Sequence, residues 1–125
     1  MKQIIVLRRK FQGRRVRTGK MIAQAAHASM AAILERNTEG PSTLKEDPRI
    51  TQWLSSAFTK IAVYVDTEEE LLAVYRDAKN AGLITALIQD SGRTEFKGVK
   101  TFTAVAVGPD SHENLYPITG HLPLL

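Results

Sequence analysis

Residues 3–7, QIIVL, form a β-favouring apolar run that predicts a buried strand. The polar, aperiodic stretch 8–18 with Gly13 as a breaker predicts a loop. KMIAQAAHASMAAILER is rich in Ala, Met, Leu and Ile and predicts a helix from Gly19 or Lys20 to near Asn37, with Thr18 as its cap. NTEGPSTLKEDP is polar and broken by Gly40, Pro41 and Pro48, so it reads as a second loop. Asp47 followed by Pro48 suits the cap and first turn of a short helix over 48–58. TKIAVYVD alternates and predicts a strand over 60–65. Asp66 or Thr67 then caps a helix, EEELLAVYRDAKNAG, whose three leading glutamates suit its positive end and whose Asn80 and Gly82 mark its stop. Residues 83–89 predict a third strand. Residues 101–107, nearly apolar on both faces, predict a central fourth strand ended by Gly108 and Pro109. Asp110 is positioned to cap a last short helix over 111–118, stopped by Gly120.

The order β, α, (α), β, α, β, β, α predicts an α/β fold: a single domain over residues 1–125, a four-stranded mixed sheet with helices on both faces. The helix between the second and third strands makes those two strands parallel. Binding sites in such sheets form beyond the carboxyl ends of strands. QDSGRT, residues 89–94, lies at such an end.

Composition then narrows the chemistry. The chain has 125 residues, 43% hydrophobic and 24% charged, an ordinary globular balance. It has no cysteine, which excludes disulfides, thiol catalysis and cysteine-based zinc sites. No apolar run reaches the roughly 18 residues of a membrane span, and the basic residues follow the first apolar run rather than precede it. A soluble, unexported, cytoplasmic protein is expected. The net charge of +4 is unevenly spread. Residues 1–34 hold eight Lys or Arg and no Asp or Glu, for +8; the other 91 residues hold nine basic and 13 acidic groups, for −4. Seven of those cations fall within residues 8–20, a basic patch suited to a polyanion.

On the first helix Lys20, Gln24 and His27 fall at i, i+4 and i+7, on one face continued by Ala31 and Leu34. Ile22, Ala26, Ser29, Met30 and Ile33 are expected to form the core-directed face. A lysine in the first turn opposes the helix dipole but, with the free backbone N–H groups there, makes an anion site. Lys20 reads equally as one more exposed lysine. Gln24 reads as a hydrogen-bonded polar residue on a half-exposed face, and His27 as a histidine packed among alanines. Asp90 suits a general base or a water-orienting carboxylate, and equally a turn cap. Gly92 allows positive φ, Arg93 offers a fork for phosphate or carboxylate, and Thr94 a hydroxyl. His27, His112 and His121 show no metal-ligand spacing, so no metal is expected. G-x-S-x-G, GxGxxG and Walker A patterns are absent from the sequence.

GKMIAQAAHASM resembles the GK-x-x-AQ-x-x-HA signature of the archaeal and eukaryotic type of peptidyl-tRNA hydrolase. VDTEEELLAVYRDAKNAGLITALIQDSGRT resembles that family's V-D-S-E-E-E-L…A…AGL…L-I-x-D-A-G-R-T block, and TFTAVAVGP with ITGHLPLL resembles its closing segments. The likeness covers residues 1–8, 19–36 and 59–125. It implies cleavage of the ester joining a peptide to the 3′ end of tRNA, no cofactor, a peptidyl-tRNA substrate, and often a homodimer. It implies a site of Lys20, Gln24, Asp90, Thr94 and Thr103, with Asp90 acting on water and Lys20 on phosphate, ribose or oxyanion. His27 and Gly92 would support that site. Arg8, Arg9, Lys10, Arg14, Arg15 and Arg17 of the basic loop 8–18, with Arg93, would grip tRNA. The chain departs from the pattern in its acid-free segment RRKFQGRRVR and in a polar insertion over 37–50. The alternative on the same fold is a non-catalytic tRNA- or RNA-binding module, which would use the basic loop without needing Asp90.

Overall fold

In the computed structural model, which describes all residues except Arg93, Thr94, Glu95 and Lys97, the elements follow the predicted order. They are β1 (Lys2–Arg8), β2 (Lys10–Phe11), β3 (Arg14–Arg15), α1 (Thr18–Ile33), β4 (Leu34–Glu35), β5 (Thr43–Leu44), α2 (Pro48–Leu54), β6 (Lys60–Val65), α3 (Glu68–Asn80), β7 (Thr85–Asp90), β8 (Thr101–Asp110) and α4 (His112–Thr119). The main sheet has the order β6-β1-β8-β7. β1 pairs with β6 in parallel, while β8 runs antiparallel to both β1 and β7. β6 and β7 are thus parallel in sense, as the intervening helix predicts, but sit at opposite edges.

Side-chain alternation on the central strands builds two cores. Ile4 and Val6 of β1 with Val105 and Val107 of β8 face Leu71, Val74 and Ala78 of α3 and Leu115 of α4. Ile5 and Leu7 with Ala104 and Ala106 face Met21, Ala28 and Ala32 of α1 and Ile50 of α2. The mixed α/β sheet with helices on both faces is therefore as the pattern predicts. Buried Gln3 ties the layers: its side chain donates to the Ser29 and Gly108 carbonyls and accepts from the Ser29 hydroxyl at 2.5 Å.

Several local expectations are corrected. The loop over 8–18 contains a small hairpin, β2 with β3, turned by Gln12 and Gly13 at φ 50 and 77°. The extended residue before α1 is Arg17, so Thr18 begins the helix rather than capping it, and no side chain caps that end. The core face of α1 is Met21, Gln24, Ala28, Ser29 and Ala32. Ile22 and Met30, expected inside, are 65% and 58% exposed, and Ala26 is exposed too. The small Ala28 and Ala32 bring the helix down onto the sheet, and that rotation turns Ile22, Ala26 and Met30 outward. α1 stops at Ile33, short of Asn37, because Leu34 turns extended and pairs with Leu44, while Lys45 donates from its N–H to the Ile33 carbonyl and from its ammonium to Ala32.

α2 is capped by Asp47 as expected but ends at Leu54, not residue 58: the next residue, Ser55, is its C-cap, and its hydroxyl turns back to the Thr51 carbonyl. β7 begins at Thr85 rather than 83, because the Leu83 N–H still closes the end of α3 on the Ala78 carbonyl. β8 does not stop at Gly108 and Pro109; it continues to Asp110, which pairs with Lys2. Ser111, not Asp110, caps α4, and Asp110 accepts instead from the Ser111 N–H and the Asn114 amide.

Candidate active site

Two elements converge at the carboxyl end of β7. α1 leaves β1 through the basic hairpin and runs back across β8 and β7, so its first turn lies beside the end of β7. Lys20 Nζ donates to Asp90 Oδ2 at 2.8 Å across 70 residues of sequence. One turn further along α1, Gln24 Nε2 donates to the same Oδ2 at 3.4 Å. The Gln24 carbonyl oxygen accepts from the Thr103 hydroxyl of β8 at 2.6 Å. The other Asp90 oxygen accepts from the Gly92 N–H at 2.7 Å. The result is one chain of contacts, Thr103–Gln24–Asp90–Lys20, reaching from the sheet interior to a half-open surface.

Asp90 is both a turn cap and a partner of Lys20, so the two readings of that residue coexist. Gly92 sits at φ 85°, and a Cβ there would run into the Val99 carbonyl oxygen. The loop closes with the Gly98 N–H on the Gly92 carbonyl at 2.9 Å. Glycine at this position is what lets the chain turn back tightly enough for its own N–H to hold Asp90.

The Lys20 and Asp90 side chains are 17% and 14% exposed, so water screens the pair only in part. The Lys20 ammonium holds the Asp90 carboxyl below its usual range, against partial burial; the Gly92 N–H and the His27 side chain act in the same direction. Asp90 is therefore ionised at neutral pH. Phe96, buried at 1% exposure, lies with its ring centroid 5.8 Å from Lys20 Nζ and 5.0 Å from the Phe11 ring. Nothing in the local pattern around Phe96 marks it as a neighbour of the site.

Two recesses adjoin this constellation. The first, of about 340 Å³, holds Gln24, Asp90 and Ser91 at one end and His27, Arg36 and Ile88 at the other. The second, of about 420 Å³, shares His27, Arg36 and Ile88 and continues to Met30, Ala31 and Asn37. The exposed Arg14 and Arg15 form β3, just before α1, and the exposed Arg17 is the residue at its N-terminal end; none of the three lines either recess. Among the described residues no group of His, Asp or Glu could hold a metal ion, and no helix is long and apolar enough to cross a membrane.

The model of the family described as peptidyl-tRNA hydrolase PTH2 matches residues 1–125. The chain belongs to that family. It is 37% identical to a peptidyl-tRNA hydrolase of Methanocaldococcus jannaschii over 125 residues, covering both chains in full. It is 35% identical to one from Methanothermobacter thermautotrophicus over the same length, again covering both in full. A third, from Methanopyrus kandleri, is 36% identical over 124 residues, covering 99% of this chain and 97% of that one.

Within this PTH2 chain, Lys20, Gln24, Asp90 and Thr103 meet in one hydrogen-bonded set. The expectations for Thr94 and Arg93 fall outside the described residues. His27 is exposed rather than packed among alanines, and it lines both recesses. Gln24 is buried rather than half-exposed. Among the basic residues, Arg14, Arg15 and Arg17 are exposed, and Lys10 is half-buried. Arg8 donates to the Lys10 carbonyl and lies 3.9 Å from Glu68. Arg9 binds both Asp66 oxygens and stacks 3.8 Å over the Tyr64 ring, so it braces the start of the hairpin. Arg36 and Ile88, which line both recesses, were not anticipated. Ile88 stands two residues before Asp90 on β7 and shares its face, whereas Arg36 is unremarkable in its own segment and reaches the same recess only because α1 returns along β7.

Proposed function

We propose that this chain is a peptidyl-tRNA hydrolase that adds water across the ester between the last carbonyl of a peptide and the 3′ oxygen of tRNA, and so returns tRNA from stalled translation. The observation that carries this reading is the Lys20–Asp90 pair at 2.8 Å, partly shielded from water and flanked by an arginine-rich hairpin. Asp90, ionised and held on both oxygens, orients the attacking water and stabilises the positive charge the water gains as it attacks. Lys20 faces the charge that develops on the ester carbonyl oxygen, the kind of contact that contributes roughly 3–4 kcal/mol when one donor is removed in other hydrolases. The attacking water gives up a proton as the tetrahedral intermediate forms, and the intermediate collapses with loss of the 3′ oxygen, which leaves with that proton. Gln24, fixed by Thr103, sets the position of Asp90. Thr94 contributes a hydroxyl to the substrate ester. Lys10, Arg14, Arg15, Arg17 and Arg93 bind tRNA phosphates, with Arg8 and Arg9 supporting the hairpin that carries the first of them. The enzyme works in the cytoplasm without a cofactor. As a homodimer it would have the exposed Tyr116, Leu124 and Leu125 available as a contact surface.

The test is peptide release from N-acetyl-aminoacyl-tRNA by purified protein, with free aminoacyl-tRNA left intact. Lys20→Ala and Asp90→Asn should each remain folded and lose most of the activity. Salt-sensitive tRNA binding by the wild type without any ester cleavage would favour the RNA-binding module instead.

A further inference from the structure

We propose that the trough running from Asp90 along α1 and the outer edge of β7 binds the peptide moiety of the substrate. This rests on the hydrolase reading and assigns a place to the half of the substrate that the basic hairpin does not explain.

The two recesses adjoin along a shared wall, because His27, Arg36 and Ile88 line both, and the first includes Gln24 and Asp90. The trough follows the α1 face from Gln24 to Leu34, a length of roughly 15 Å at 1.5 Å per residue. That length takes about four to five residues of extended chain. The two ends of α1 differ in chemistry. The exposed Arg14, Arg15 and Arg17 immediately precede its start and suit phosphates. The trough beyond His27 is walled by Met30, Ala31, Leu34 and Ile88, and Arg36 is the one Lys or Arg among its described lining residues. Such a surface suits side chains and amides rather than a phosphate backbone. A substrate that is polyanion on one side of an ester and polypeptide on the other fits this polarity with the ester at Lys20 and Asp90.

β7 supplies a second feature. It is the last strand of the sheet order, so among the described residues no strand pairs with its outer edge. Leu87, Ile88 and Gln89 of that strand line the trough. An edge of this kind pairs with the backbone of an extended segment, and backbone pairing holds a peptide without reading its sequence. Arg36 at the far end offers donors to peptide carbonyl groups.

The test is Ala31→Arg, which fills the trough from an exposed helical position with a good helix former. Kinetics are compared on N-acetyl-aminoacyl-tRNA and on N-acetyl-hexapeptidyl-tRNA, with uncharged tRNA as competitor. For the long substrate KM should rise about tenfold, while the short substrate and tRNA inhibition stay within about twofold of wild type. Ala31→Ser should restore wild-type behaviour. Equal effects on both substrates, no effect on the long one, or weakened tRNA inhibition would overturn the assignment; the last would place RNA in the trough. A wild-type protein that cleaves neither substrate would fail the hydrolase reading itself. In that event titration of N-acetyl-hexapeptide into isotopically labelled protein decides the trough. Amide shifts along residues 27–36 and 86–90 that vanish in Ala31→Arg support it, and their absence in the wild type rejects it.

Discussion

Asp90→Asn is the sharpest perturbation of the site because it changes charge with almost no change in shape. In the wild type Oδ2 accepts from Lys20 at 2.8 Å and from Gln24 at 3.4 Å, and Oδ1 accepts from the Gly92 N–H at 2.7 Å. An asparagine has one acceptor oxygen to offer. Turned towards Gly92, it points its NH₂ at the Lys20 ammonium; turned the other way, it points its NH₂ at the Gly92 N–H. Either way a charge-assisted bond becomes a donor–donor contact, and a hydrogen bond to a charged group contributes about 1.5–3 kcal/mol. Residual exposure of both side chains discounts this, so the expected loss of stability is about 1–2 kcal/mol, a few degrees in Tm. The loss in rate is larger. Removing a group that acts on water at the moment of attack lowers kcat by about 10²–10⁴, or roughly 3–5 kcal/mol of activation energy.

The pH dependence supplies an independent check. The folded Asp90 titrates below its usual range because of Lys20. Its contribution to stability is therefore complete above the ordinary carboxylate pKa of about 3.9 and drains away as pH falls through the folded value. The stability gap between wild type and Asp90→Asn should shrink on acidification below that range, and kcat/KM of the wild type should show no acid limb between pH 5 and neutrality that belongs to Asp90. Single-turnover release of N-acetylated amino acid from tRNA measures the rate, and chemical denaturation at several pH values measures stability. Adding Lys20→Ala to Asp90→Asn should cost little more than the worse single change, as for residues that act as a unit. A folded Asp90→Asn protein within fivefold of wild-type rate would refute the assigned role.

Thr103→Val keeps the shape at a residue only 5% exposed but leaves the buried Gln24 oxygen without its donor; a loss of about 1–3 kcal/mol by denaturant titration is expected, together with a fall in kcat rather than a rise in KM. Gly92→Ala forces a Cβ against the Val99 carbonyl at φ 85°, so hydrogen exchange at the amides of positions 92 and 98 should accelerate and activity should fall, while the sheet core stays protected. Arg14→Ala with Arg15→Ala should leave the single-turnover rate at saturating substrate unchanged but reduce the slope of log affinity for tRNA against log salt by about 2; an unchanged slope would remove both arginines from the RNA surface.

The main elements were legible because each carries its own local signal. Asp47–Pro48 caps α2, Thr67 caps a helix opened by three glutamates, and the apolar run of β8 marks it as central. Two of the misplaced boundaries, the end of α1 and the end of β8, have a different cause: groups distant in sequence finish the backbone bonds there. Lys45 closes α1 before Asn37 is reached, and Lys2 extends β8 past Gly108 and Pro109. The rotation of α1 was misjudged for a related reason. Its many alanines leave the hydrophobic stripe weakly defined, and the sheet selected the small Ala28 and Ala32 over the larger Ile22 and Met30.

The site depends most on the feature a single chain shows least, the order of strands. β8 inserts between β1 and β7 and runs against both, so β1 and β7 end on the same side of the sheet. A helix that leaves the end of β1 and packs back over β8 and β7 must begin beside the end of β7. Lys20 is therefore delivered to Asp90 by topology, although neither segment encodes the other. The same arrangement threads Thr103 of β8 beneath both, which is why a hydroxyl 79 residues from Gln24 becomes its hydrogen-bond donor. It also leaves β7 as the open edge beside the reacting ester. Had β7 lain inside the sheet, its outer backbone groups would pair with another strand and the trough beside α1 would be closed. The placement that assembles the Lys20–Asp90 pair is thus the placement that keeps an unpaired strand next to it.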